Sequence, residues 1–380
     1  MKASAFLYPW DVTGDPDAPS RIADLGVRQV TLASAYHSTR ALTPRHPRHR
    51  VVTAEYTALL YPPDELFWRR RELRPYPPGP WAPGDAFGRA ADALAAAGLD
   101  VHSWVVLAHN SRLGTERPET SVVNAYGDRY PWAPCIAQPH VRAYLVALAA
   151  EAAVRPGASG TELESCGWYG LAHPHAHDKI AGLALDDTAQ YLMSLCFCGS
   201  CAQGYAETGL GAEELRTRVR RALEPVWRGG PVAHPGADLF AATLSFRRRA
   251  ARELQESAVS AVRGRAHAGF QVLLHADPRP ERCGANVGVD PKHVLGVADG
   301  VVVPCAGGPE LLRPFAACGA RAAVLAANLT VVSGMGGRPE ALADEAARAA
   351  ELGATELRLY HAGLASDADL AQLRNSDALT

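Results

Sequence analysis

Ala3-Ser4-Ala5-Phe6-Leu7-Tyr8-Pro9-Trp10-Asp11 reads as a short apolar strand that ends in aromatic and acidic side chains. A doubly wound nucleotide-binding sheet would follow its first strand with a glycine-rich turn, so that a pyrophosphate can approach the backbone. Tyr8-Pro9-Trp10-Asp11 offers rings and a carboxylate instead, which weighs against the open sheet. Outward from this stretch, apolar runs predict strands at residues 3–10, 27–35, 101–108, 160–166, 270–276, 299–304, 321–327 and 356–361. Alanine-rich amphipathic stretches lie between them, clearest at Phe87 to Ala97, Val141 to Ala153, Asp238 to Arg263, Pro309 to Ala317 and Pro339 to Leu352. Gly98 and Gly353 stand where C-terminal caps are expected. Eight strand–helix units imply an α/β fold, a (β/α)8 TIM barrel, here as one domain over residues 1–380. Such a barrel takes about 250 residues, so the surplus falls in long βα-loop insertions after strands two, three and four.

Composition bounds the function class. The chain has 380 residues, 48% of them hydrophobic, and its 38 basic and 40 acidic side chains give a net charge of −2. No global field draws it to nucleic acid or an anionic membrane, and no apolar run reaches membrane-spanning length. The basic run Arg45 to Arg50 reads as loop charge. Met1-Lys2-Ala3-Ser4 leads straight into strand one without a cleavage pattern, so the expectation is a cytoplasmic protein with free thiols.

In a barrel, the strand C-terminal ends converge on the site. Those ends carry Tyr8, Trp10 and Asp11, then Tyr36 and His37, His109 and Asn110, Glu162 and Glu164, His275 and Asp277, Asn328, and Tyr360 and His361. Carboxylates beside rings and imidazoles suit a carbohydrate, with Trp10, Trp104, Trp168 and Tyr169 available to stack on sugar rings. Glu162 and Glu164 alternate on a strand and share one face. Glu164 lies nearer the mouth and is the expected general acid. His173 and His177, within His173-Pro174-His175-Ala176-His177-Asp178, are expected in a polar loop that hydrogen-bonds substrate, with a second metal site as the alternative.

Cys196-Phe197-Cys198-Gly199-Ser200-Cys201 places three thiols at metal-ligand spacing, which suits a structural Zn²⁺ completed by a fourth ligand from elsewhere. Cys135 and Cys166 are the nearest upstream candidates; buried free cysteines are the alternative.

Residues 100–210 resemble the catalytic barrel of family 42 β-galactosidases. The resemblance runs through Asp128-Arg129-Tyr130-Pro131-Trp132-Ala133-Pro134-Cys135, then Glu164 at the end of strand four, then the Cys-x-Cys-x-x-Cys run. It implies a glycosidase with Glu164 as acid/base, a four-thiolate zinc of Cys135, Cys196, Cys198 and Cys201, a small carbohydrate substrate and a homo-oligomer. Two departures stand against it: Leu163 precedes Glu164 where the family has Asn, and strand seven reads Val324-Leu325-Ala326-Ala327-Asn328-Leu329, without the nucleophilic Glu. Asp277 is then the expected second carboxylate, activating water as in an inverting hydrolase. Two other readings stay open: a sugar-binding protein descended from such an enzyme, and an isomerase or lyase working through His109, His275 or His361.

Overall fold

The computed structural model describes residues 1–171, 179–319 and 323–379. Eight parallel strands form its centre: β1 (Lys2–Leu7), β2 (Gln29–Tyr36), β3 (Asp100–Val106), β4 (Ala158–Glu164), β5 (Gln271–Asp277), β6 (Gly300–Pro304), β7 (Val324–Thr330) and β8 (Glu356–Tyr360). Each pairs with its neighbour in sequence order. The sheet closes where β1 lies between β8, with Lys2 opposite Glu356, and β2, with Ser4 opposite Gln29. The principal helices are α1 (Ala18–Ala23), α2 (Ala86–Ala96), α3 (Pro139–Ala153), α4 (Ala237–Arg263), α5 (Pro291–Val297), α6 (Arg313–Ala316), α7 (Leu342–Glu351) and α8 (Asp367–Arg374). The fold is therefore the (β/α)8 barrel.

Alternation along each strand divides the molecule into two cores. Val30, Leu32, Val105, Leu163, Leu274, Val303, Leu325 and Leu359 join the large apolar cluster that includes α2, α3 and α4. Their neighbours build the barrel interior, which is aromatic around Phe6, Tyr8, Tyr36 and Trp104 and aliphatic around Leu273, Val302, Val324 and Ala326.

Gly98 and Gly353 have φ of 80° and 99°, the left-handed backbone expected of caps that close α2 and α7. The two proline-led stretches are less regular than their alanine content predicts. Each starts as a 3-10 turn, Pro309–Leu312 and Pro339–Ala341, before α6 and α7, because proline pre-sets the first turn yet supplies no N–H to the helix. Strand seven is described over Val324–Thr330; residues 321 and 322, where its apolar run is expected to begin, lie outside the described residues.

The long insertions carry structure of their own. After β2 come a hairpin, Thr39–Leu42 with Val51–Ala54, and a short strand, Ala58–Leu59, antiparallel to β2. After β3 comes a second hairpin, Ser121–Val123 with Arg129–Pro134. After β4 come helices Asp187–Met193, Gly199–Ala206 and Ala212–Leu223. Asp186 accepts a hydrogen bond from the Ala189 N–H at 2.7 Å, so the Asp186-Asp187 pair is a helix start, as its sequence indicates.

Candidate active site and metal centre

Glu162 and Glu164 both point inward from β4, and their surroundings drive them apart chemically. Glu162 lies deep, at 0% exposure. It accepts from Arg358 Nε at 2.6 Å and from Thr31 Oγ1 at 3.1 Å, and lies 3.4 Å from His275 Nε2. Burial alone would raise its pKa; Arg358 and His275 outweigh burial and hold it down at about 2. It is an ionised anchor of the barrel centre. Glu164 sits one layer higher, in contact with rings. Burial pushes its pKa up, against the lowering pull of His275 and of a 2.8 Å hydrogen bond from Trp104 Nε1.

Ring stacking organises the mouth around that carboxyl group. Tyr8 stacks on Trp10 with centroids 4.5 Å apart, and meets Tyr36 edge-on at 4.9 Å. Tyr36 contacts Trp104 at 4.6 Å and His37 at 4.2 Å. His37 lies 4.6 Å from His109, which stacks on Tyr169 at 4.7 Å and 6°. Tyr360 and His361 close the circle at 3.8 Å, and Tyr8 Oη lies 3.4 Å from His361 Nδ1. Burial lowers the His361 pKa to about 3, so its imidazole is neutral near pH 7 and outside the range of a neutral-pH proton shuttle. The residues that follow Glu164 and Tyr360, Ser165 (φ 56°) and His361 (φ 63°), are the two non-glycine residues with left-handed backbone among the described residues. Strain of this kind collects where a site over-determines its geometry.

Three further strand-end groups differ in their engagement. Asp277 ends β5 with both oxygens committed: Oδ1 accepts from Arg279 N at 2.8 Å and Nε at 2.9 Å, and Oδ2 accepts from Nη2 at 2.6 Å. Asn328 on β7 is buried, with its Oδ1 lacking a hydrogen-bond partner. Asp11 is half-buried as a residue, but its Oδ1 is covered and unpartnered while Oδ2 accepts from Tyr8 N at 2.8 Å. Burial raises its pKa to about 7.

Other expected site residues lie apart from this ring. Asn110 caps helix Ser111–Glu116, accepting from Leu113 N at 3.0 Å. Trp168 packs under the Arg247 guanidinium at 4.8 Å and donates Nε1–H to Arg247 O, away from the Tyr8–Tyr360 cluster. His275 belongs to the deeper Glu162 layer. His173 and His177 lie outside the described residues. Arg358 was not anticipated, although its place between Leu357 and Leu359 was a signal: an arginine flanked by core leucines in a strand must face a buried polar interior.

Away from the barrel axis, the Sγ atoms of Cys135, Cys196, Cys198 and Cys201 all lie within 4.8 Å of one another. Cys135 is 3.6 Å from Cys198 and 3.5 Å from Cys201. Sulfurs around a tetrahedral Zn²⁺, with Zn–S of about 2.3 Å, are about 3.8 Å apart, so the set fits that ion. Cys135 follows the hairpin after β3, while the other three open helix Gly199–Ala206 in the insertion after β4. A backbone bond from Phe197 N to Val123 O, 2.7 Å, ties the same two segments.

No family model and no curated protein matches the sequence. Among solved structures, the chain is similar to α-L-fucosidase isoenzyme 2 from Paenibacillus thiaminolyticus, at 12% identity and a TM-score of 0.59, covering 99% of this chain and 48% of that one. It is also similar to a polyextremophilic β-galactosidase from the Antarctic haloarchaeon Halorubrum lacusprofundi, at 13% identity and a TM-score of 0.57, covering 98% and 57%. A third is the catalytic domain of β-amylase from Paenibacillus polymyxa, at 10% identity and a TM-score of 0.57, covering 99% and 97%. The chain thus spans about half the length of the fucosidase and the β-galactosidase. Its structural neighbours are glycoside hydrolases, and at these identities the likeness is one of barrel fold.

Proposed function

We propose that the chain is a glycoside hydrolase-like enzyme acting on a small glycoside or oligosaccharide, with Glu164 as general acid. The observation that carries this reading is geometric: β4 places the Glu164 carboxyl, buried and hydrogen-bonded by Trp104, inside a ring-lined barrel mouth, where burial raises its pKa. Burial favours the protonated carboxyl, and the Trp104 bond to Oε2 fixes its orientation. Glu164 then protonates the leaving oxygen as the glycosidic C–O bond breaks. Asp277, held by Arg279, accepts a proton from the water whose oxygen forms the new bond to the sugar carbon. The four cysteines hold a structural Zn²⁺, whose four thiolates leave no open position.

Glu164→Gln tests the assignment. Turnover of a glycoside with a sugar leaving group should fall about 10²- to 10⁴-fold, and less for an activated aryl glycoside that needs little protonation. Equal turnover by the variant on both substrates would remove Glu164 from the role.

One observation favours a second reading. Asn328 occupies β7, so a double displacement lacks its carboxylate there. A sugar-binding protein descended from such an enzyme would bind glycosides in calorimetry and release no sugar, and any released sugar detected by product analysis would exclude it.

A further inference from the structure

The hairpin after β2 contains Arg45-His46-Pro47-Arg48-His49-Arg50, and the fold gives its three arginines different tasks. Arg45 is consumed by the Ala365 and Gly363 carbonyls and by Asp367. Arg50 donates to the Pro44 and His46 carbonyls. Arg48 makes no side-chain hydrogen bond or ion pair among the described residues, and it lines a cavity of about 460 Å³.

That cavity has the chemistry of a built site. Trp10 and Trp81 supply ring surface, and both indole N–H groups are buried with no partner. His46 Nδ1 accepts from the backbone N–H groups of Arg48 at 3.1 Å and His49 at 3.0 Å, so the neutral ring carries its proton on Nε2 as a fixed donor. Arg89 gives one donor to Pro83 O at 2.6 Å and keeps others. The lining residues include no carboxylate. Asp15, which lies within electrostatic reach of His46, is committed to Arg21 at 3.0 Å. Arg48, Arg89, His46, Trp10 and Trp81 line it together, in a protein whose net charge is −2. The cavity also adjoins the barrel mouth, since Trp10 lines it and stacks on Tyr8.

We propose that this cavity is a subsite for an anionic sugar unit, one bearing a carboxylate or a sulfate ester. The ring stacks on Trp10 or Trp81, and the anion pairs with Arg48 and Arg89. The proposal rests on the carbohydrate reading above and narrows it from glycosides in general to acidic ones.

The test is calorimetry on the full chain with three oligosaccharides of matched length: a neutral one, one carrying uronate units and one carrying sulfate esters. At least one acidic ligand should bind about ten-fold more tightly than the neutral one at about 0.05 M salt, with the gap narrowing at about 0.5 M. Whichever acidic ligand shows the gap identifies the anion. Arg48→Gln, on an exposed loop, should reduce acidic binding about five- to ten-fold and leave neutral binding unchanged. Trp81→Ala should weaken both. Equal affinities for all three ligands, no binding by any of them, or an Arg48→Gln variant that retains the acidic preference would each overturn the proposal. The readout is independent of Glu164. Acidic preference without turnover would defeat only the hydrolase reading, whereas turnover lost in Glu164→Gln with no acidic preference would defeat only this one.

Discussion

Arg358 places a guanidinium at 0% exposure in the barrel interior, where its Nε meets Glu162 at 2.6 Å and its Nη1 meets Glu356 at 2.8 Å. A buried ion pair gains little over well-packed apolar groups, but removing one partner strands the other charge. Arg358→Met should therefore cost about 3–5 kcal/mol, read as a lower urea midpoint at pH 7. Adding Glu162→Leu should recover part of that loss, because the carboxylate stranded at 0% exposure is removed and Glu356, nearer the surface, is the one left without its arginine. A double variant as unstable as the single one would show that packing, not charge, governs the layer. The same logic separates the two carboxyl groups of β4, two residues apart. One is held ionised by an arginine, and burial shifts the other toward its protonated form.

At the scale of elements, the hairpin after β3 and the helix Gly199–Ala206 meet at four clustered thiols, which the proposed zinc would clasp, and at the Phe197–Val123 backbone bond. Cys198→Ser should lower bound zinc from about one equivalent to well under half, by elemental analysis. In hydrogen exchange, residues 121–135 and 196–206 should lose protection before β1 to β8 do, because barrel strands exchange only on deeper unfolding. A variant with full zinc, or with uniform loss of protection, would contradict the clasp. The three thiols of this clasp were legible as a motif, since ligand spacing is local, and Cys135 was reached through resemblance. The strands were legible because a parallel barrel strand is buried on both faces and reads as an apolar run. Side-chain destinations were less so. Asn110 looked like a strand-end ligand, yet the helix behind it needs a cap, and Trp168 looked like a sugar platform, yet Arg247 on α4 covers it. Both placements have one cause: partners distant in sequence decide where a loop residue points, and periodicity carries no such information.

Across the whole molecule, the buried titratable groups pull stability in opposite directions with pH. His102 and His361 have pKa values lowered to about 3 by burial, and Glu162 is held at about 2. For these three the unfolded chain binds more protons, so their contribution is present at neutral pH and is lost on acidification, from about pH 6.5 downward for the histidines and from about 4.5 for Glu162. Asp11, raised from its ordinary 3.8 to about 7, and Glu164, also raised, act oppositely: the folded chain holds their protons, so their contribution is lost as pH rises. Between about pH 4 and 6.5 Asp11 offsets part of the histidine contribution, and Glu164 acts in the same direction, which predicts a shallower dependence there than below it. Asp11→Asn isolates one component. The amide can keep the Tyr8 N–H bond through its oxygen, yet it has no charge to bury above neutrality. The Tm of Asp11→Asn relative to the parent should therefore rise steadily from pH 5 to the Asp11 value of about 7 and level off above it. Thermal unfolding by circular dichroism at several pH values reads this directly. A Tm difference that stays constant with pH would mean that Asp11 titrates alike in the folded and unfolded chain, and that the cover over its Oδ1 opens to water in solution.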